Sequence, residues 1–185
     1  KFVGTTPDTV PNIFGEMVSD LPSLKASVAS FASSCANKLR GQNAGARSVT
    51  VFICSNRFRD DLPQYGNSAT YTFITPTSDT LEITSAALKL LKQIYRPGIQ
   101  YKKSGVIVGD IVSMSMLQMN LFDPIHNRKE RSDLMKAIDV INHRYGLKTI
   151  KLLAEGDKDQ KWKVKCEHRS QNYLTNINEI LTIHI

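Results

Sequence analysis

The chain has 185 residues, 24 Lys and Arg against 17 Asp and Glu, a formal net charge of +7 and a pI near 9.4. That length suits one domain, or one with a small appendage, and a hydrophobic content of 41% supplies a core. No apolar run reaches the ~18 residues of a membrane span, and three scattered cysteines (Cys35, Cys54, Cys166) speak against a disulfide framework and for a reducing, cytoplasmic setting. The excess of base makes a polyanion the default partner. The chain begins at Lys1 rather than Met, so we expect a piece of something longer.

In chain order, the alternation of Ile13 and Met17 predicts a short strand near 12–18. Pro22 suits the first turn of a helix. Leu24, Val28, Phe31, Cys35 and Leu39 form one helical face, which Lys38, Arg40 and Gly41 close. The β-branched run Arg47–Ser55 predicts a strand. A polar loop with Asp60, Asp61, Pro63 and Gly66 leads to a second, over Ala69–Ile74, antiparallel to the first. Ile83, Ala87, Leu90, Leu91 and Ile94 predict a second helix, stopped by Arg96-Pro97-Gly98. Gly105–Val112 reads as a buried strand. The order β-α-β-β-α-β implies an α+β fold, an open sheet with two helices on one face.

Residues 113–130 break the pattern. They read as an exposed linker carrying large apolar residues, after a domain spanning 1–112. From 131 to 185 we expect a small helix-hairpin extension. Leu134, Ile138, Ile141 and Tyr145 mark a helix ended by Gly146, and Thr149–Leu153 pairs with Lys161–Cys166. Residues 1–125 carry 12 basic and 9 acidic side chains and residues 126–185 carry 12 and 8, so the shorter piece is denser in positive charge.

Catalytic chemistry is hard to assemble. Cys166-Glu-His168 lacks a second ligand pair at metal-site spacing. No phosphate-binding Gly loop, nucleophile elbow or H-E-x-x-H motif is present. Asp60 and Asp61 read as solvated turn acids. The chain therefore reads as non-catalytic, with no cofactor and no metal of its own.

Nucleic-acid binding fits better. Backbone phosphates are gripped by cations, hydroxyls and N–H groups. Arg47, Ser48, Thr50, Ser68, Thr70 and Thr72 lie along the polar alternation of the middle strands, Arg57 in the loop between them, and Lys102 and Lys103 at the start of the last strand. The aromatic signature of an RNA-recognition module is absent from the middle strands. The alternative is an ordinary solvated basic sheet on a protein-interaction module. In the linker, Gln118, Met119, Asn120, Leu121 and Phe122 form a short peptide suited to a partner's apolar pocket, Leu121 and Phe122 burying and Gln118 bonding at its rim. The alternative is that Leu121 and Phe122 fold back on this chain's own core.

Three stretches carry a resemblance: Phe58-Arg-Asp-Asp-Leu-Pro-x-Tyr-Gly-Asn-Ser-Ala69, Tyr101-Lys-Lys-Ser-Gly-Val-Ile-Val-Gly-Asp110 and Gln118-Met-Asn-Leu-Phe122. In this order they resemble the C-terminal part of the UmuC group, polymerase subunits of bacterial DNA polymerase V within the Y-family of translesion polymerases. The likeness runs from about Phe14 to the end. It implies a little finger domain up to about residue 112, whose sheet lies on primer-template DNA, and a sliding-clamp-binding peptide at Gln118–Phe122, with Met119 where the family has Leu. It also implies a UmuD dimer and RecA as partners, and a parent DNA-directed DNA polymerase of the SOS response that uses Mg²⁺ through carboxylates upstream of this chain. The C-terminal extension departs from the family at Ser170-Gln-Asn-Tyr-Leu-Thr175, so no function is carried onto it.

Overall fold

The computed structural model describes residues 8–116, 123, 125–156 and 162. The peptide Gln118–Phe122, Cys166, His168 and the stretch 170–175 lie outside them.

Four strands and two long helices form the first unit: β1 (Asp8–Val18), α1 (Leu21–Gly41), β2 (Ala44–Ser55), β3 (Gly66–Thr77), α2 (Thr80–Ile94) and β4 (Tyr101–Ser113). The expected α+β order holds. Each strand runs longer than its composition predicted, because pairing with a neighbour recruits residues of weak strand propensity. The sheet order is β1-β4-β2-β3 with every pairing antiparallel. β1 and β2 are therefore parallel with β4 between them, and β3 and β4 are parallel with β2 between them. Parallel strands need a crossover, which α1 and α2 supply.

α1 begins where Asp20 accepts from the Ser23 N–H at 2.8 Å, with Pro22 in its first turn. Its predicted face (Leu24, Val28, Phe31, Cys35, Leu39) is buried throughout. The left-handed residue after it is Asn43 (φ 50) rather than Gly41. In α2 the side chain of Asp79 caps the Leu81 N–H at 2.8 Å, and Ile83, Ala87, Leu90, Leu91 and Ile94 are buried as predicted. Both helices pack against β2 and α1 also against β4, around a core that holds Val49, Val51, Ile53, Val106 and Val108. Cys35 and Cys54 are free thiols.

The linker is shorter than expected. A 3-10 turn follows β4 at Met114–Met116, and α3 spans Arg128–Tyr145, taking in the charged residues before Leu134. The predicted apolar face of α3 is only partly inward: Ile138 and Ile141 are half-buried, whereas Leu134 is 50% and Tyr145 67% exposed, and Met135 is the buried residue of the helix. Charge attaches α3 instead. Arg40 of α1 grips Asp139 through Nε and Nη2 at 2.6 and 2.8 Å while donating to the Ser78 carbonyl and Thr80 Oγ1. Arg131 bonds the other oxygen of the α2 cap Asp79, and Arg128 spans Asp123 and Glu82.

The first strand of the expected hairpin is instead a bend and irregular backbone over residues 149–152, followed by a 3-10 helix at Leu153–Glu155. There the Asn142 side chain accepts from the Ile150 N–H at 2.8 Å and donates to the Ile150 carbonyl at 2.9 Å, satisfying both backbone groups. Of the second strand, Trp162 is described, and it meets Phe31 of α1 edge-on at 5.5 Å.

Hydrogen bonding from Arg128 holds the Asp123 carboxyl down to about 2. A depressed folded-state value gives stability that is present above the unfolded value near 3.9 and lost as pH falls through about 2. Asp123→Asn should cost about 1.5–3 kcal/mol at pH 7. In urea titrations that difference from the parent should shrink steadily from pH 4 to pH 2.

Candidate nucleic-acid interface

Because both helices cover one side of the sheet, the other side is left bare among the described residues. The register lays it out as rows running from β3 across β2 to β4: Thr72, Ser48, Gly109; Thr70, Thr50, Ile107; Ser68, Phe52, Gly105; Gly66, Cys54, Lys103. Alternation produces this face. Val49, Val51 and Ile53 turn to the core, so Ser48, Thr50, Phe52 and Cys54 turn away. Ser68, Thr70 and Thr72 are exposed, and Ser48 and Thr50 half-buried. The Thr50 and Thr70 hydroxyls lie 2.8 Å apart, a cross-strand pair that orients both. Glycine at 105 and 109 keeps the β4 part of the face flat. A Cβ on Gly109 would stand 2.7 Å from Ser48 Oγ.

Cations frame this face. Lys103 is exposed in the last row, Arg47 is exposed before Ser48, and Arg57 is exposed in the β2–β3 loop. Asp110, with a left-handed backbone (φ 50), lies between Gly109 and Ile111, the β4 partners of Ser48 and Ala46. Lys102 differs from its neighbour. Its ammonium donates to the Phe14 carbonyl at 2.7 Å, tying β4 to β1 where the register slips, so its charge is engaged within the fold.

The loop end of the sheet is held by tyrosines. Tyr65 donates to the Ile94 carbonyl at 2.6 Å, and Arg96 stacks on its ring at 4.8 Å. The Tyr101 hydroxyl accepts from the Arg96 N–H and donates to the Arg96 carbonyl. Burial pushes the Tyr101 phenol up, so it stays a neutral donor. Asp61, read from sequence as a solvated turn acid, is exposed and pairs with Arg59 at 2.6 Å. Phe52 and Ile107 were not among the sequence-derived candidates. Counting the alternation outward from Val49, Val51 and Val106 finds both.

Among the described residues, no group of three or more His, Cys, Asp or Glu side chains could hold a metal ion. No helix among them is long and apolar enough to cross a membrane.

Comparison with known proteins decides the family. Residues 11–121 match the model of the impB/mucB/samB family C-terminal domain. The chain belongs to this family. Residues 132–183 match a second model, described as a domain of unknown function (DUF4113). The chain is 37% identical over 170 residues to the protein UmuC of Salmonella typhimurium, covering 92% of this chain and 40% of that one. It is 34% identical over 167 residues to the protein ImpB of Salmonella typhimurium, covering 90% and 39%. The chain thus spans about two fifths of the length of these relatives, and the resemblance to UmuC holds over nearly all of it. Among solved structures, an insertion ternary complex of Dbh DNA polymerase aligns at 14% identity with a TM-score of 0.43, over 58% of this chain and 29% of that one.

In this family's C-terminal domain the two adjacent lysines should separate in a stability assay. Lys102→Met removes a charged hydrogen-bond donor from the β1–β4 junction and should cost about 1.5–3 kcal/mol. Lys103→Met, on the solvent side, should stay within about 0.5 kcal/mol of the parent in urea.

Proposed function

We propose that this chain is the DNA-gripping and clamp-tethering part of an error-prone translesion polymerase, non-catalytic in itself. The observation that carries the reading is the bare sheet face, lined by Ser48, Thr50, Ser68, Thr70 and Thr72 and framed by Arg47, Arg57 and Lys103. Hydroxyls and cations on a flat surface suit the sugar-phosphate backbone, which carries no sequence information. A polymerase that accepts damaged bases gains from such a grip, since the damage sits on the base and leaves the phosphate unchanged. Lys102 contributes through position rather than contact, because its ammonium serves the Phe14 carbonyl.

Phosphate contacts alone bind weakly and fail with rising salt. A second attachment raises local concentration without any new DNA contact. We assign that role to Gln118, Met119, Asn120, Leu121 and Phe122 as a ligand for a sliding clamp. Both flanks of this peptide are fixed to one end of the sheet domain. The Met114 N–H donates to the Asn43 carbonyl at 3.0 Å, and Asp123 is gripped by Arg128. The parent polymerase, with Mg²⁺ on carboxylates outside this chain and with UmuD and RecA as partners in the bacterial cytoplasm, belongs to the same proposal.

Fluorescence anisotropy with labelled primer-template DNA should give binding with little sequence preference that weakens steeply with salt. Substituting Arg47, Arg57 or Lys103 by Ala should each lower the salt slope by about 1. No binding at about 10–100 µM protein, the range of non-specific association, would favour a protein-interaction module with a solvated basic face. Leu121→Ala with Phe122→Ala should abolish binding to the clamp and leave DNA affinity unchanged. Unchanged clamp affinity would remove the peptide assignment.

A further inference from the structure

The β2–β3 loop presents an aromatic ring to solvent in a way that the phosphate grip does not use. Phe58 is 90% exposed. Its backbone is nevertheless fixed. The Phe58 N–H donates to Asn56 Oδ1 at 3.1 Å, the Arg59 N–H closes a turn onto the Asn56 carbonyl at 3.2 Å, and the Leu62 N–H closes a second turn onto Arg59. Gln64 fills the centre of the loop. Its amide nitrogen donates to the carbonyls of Asn56, Arg59 and Leu62, and its oxygen accepts from Ser55 Oγ. The loop thus holds a large apolar ring in water on a pre-ordered support, which lowers the entropic cost of any contact that the ring makes.

The charges around the ring narrow the contact. Arg59 is tied to Asp61 at 2.6 Å, and the four charges Arg57, Arg59, Asp60 and Asp61 sum to zero. The Arg59–Asp61 pair cancels its own charge and leaves Arg57 as the loop's phosphate contact, so the ring offers a contact of another kind. The loop also springs from the end of β2, one row beyond Cys54 and Lys103 at the border of the bare face. A nucleic acid on that face passes beside it. Bases inside a duplex are stacked and offer no open π-face, whereas an unpaired base does.

We propose that Phe58 is a stacking platform for an unpaired base of single-stranded DNA next to the duplex. This inference rests on the DNA-gripping reading and assigns it a contact to a base rather than to a phosphate. The test compares the full chain with Phe58→Ala and Phe58→Trp on two labelled probes, a blunt duplex and the same duplex bearing an overhang of unpaired thymidines. The parent should prefer the overhang probe. Phe58→Ala should lose about 5- to 150-fold in affinity for it, keep its affinity for the blunt duplex and keep the salt slope. Phe58→Trp should retain the preference, with its indole fluorescence quenched on the overhang probe. Equal affinity of parent and Phe58→Ala for the overhang probe overturns the proposal and leaves the ring as an anchor for a protein pocket. An equal loss on both probes also overturns it. Failure of the parent to bind either probe would instead remove the DNA-gripping reading and this inference together.

Discussion

The position of β4 governs the rest of the molecule. It is last of the four strands in the chain, yet it lies between β1 and β2. Two crossovers are then required, β1 to β2 and β3 to β4. They run in opposite directions across the sheet and start from strands of opposite polarity. Right-handed crossovers with that relation fall on the same side. α1 and α2 therefore share one face and bury it, and among the described residues the opposite face stays bare. The proposed DNA surface follows from this topology. It needed no dedicated element, only a majority of small and hydroxylated residues, with Phe52 and Ile107 among them, at the outward positions of strands already required for the core.

The two ends of the chain's described part are held by different physics. Inside the sheet domain, burial dominates: Leu24, Val28, Val49, Val51, Ile53, Val106 and Tyr101 have essentially no exposure, each apolar side chain contributing about 1.5–3 kcal/mol. Between α3 and that domain, beside the buried Met135, stand carboxylate–guanidinium pairs at the C-terminal end of α1 and the N-terminal end of α2. Asp79 serves twice, one oxygen capping α2 and the other bonding Arg131. Half-buried charge pairs give geometric definition more than net stability. They fix where the linker flank leaves the domain, at Asp123, while the bare face stays clear of α3.

Much of this was legible from residue spacing. The faces of α1 and α2 were readable because apolar residues recur at three and four, and every predicted position is buried. α3 misled for a definable reason. Leu134 and Tyr145 have helical spacing, but Arg128, Arg131 and Asp139 decide its orientation, and their partners Glu82, Asp79 and Arg40 lie 40 to 100 positions away. Asn142 occupying the backbone of Ile150 is equally invisible to periodicity, since a side-chain amide meets the backbone groups of a residue eight positions on. At the site, the hydroxyl positions followed from alternation. The engagement of Lys102 with Phe14 did not, because two adjacent lysines look alike until the fold ties one to a backbone carbonyl and leaves the other exposed. Gln64 as the centre of the β2–β3 loop, and the ring that loop exposes, likewise needed coordinates.

The central claim is that the bare sheet face, and not the helical side, receives DNA. Amide hydrogen exchange of the chain with and without primer-template DNA tests it directly. Added protection should fall on the outward rows of β2, β3 and β4 (48–54, 66–72 and 103–109) and leave α1, α2 and α3 unchanged. Protection confined to the helices, or to α3 and the segment after it, would contradict the account.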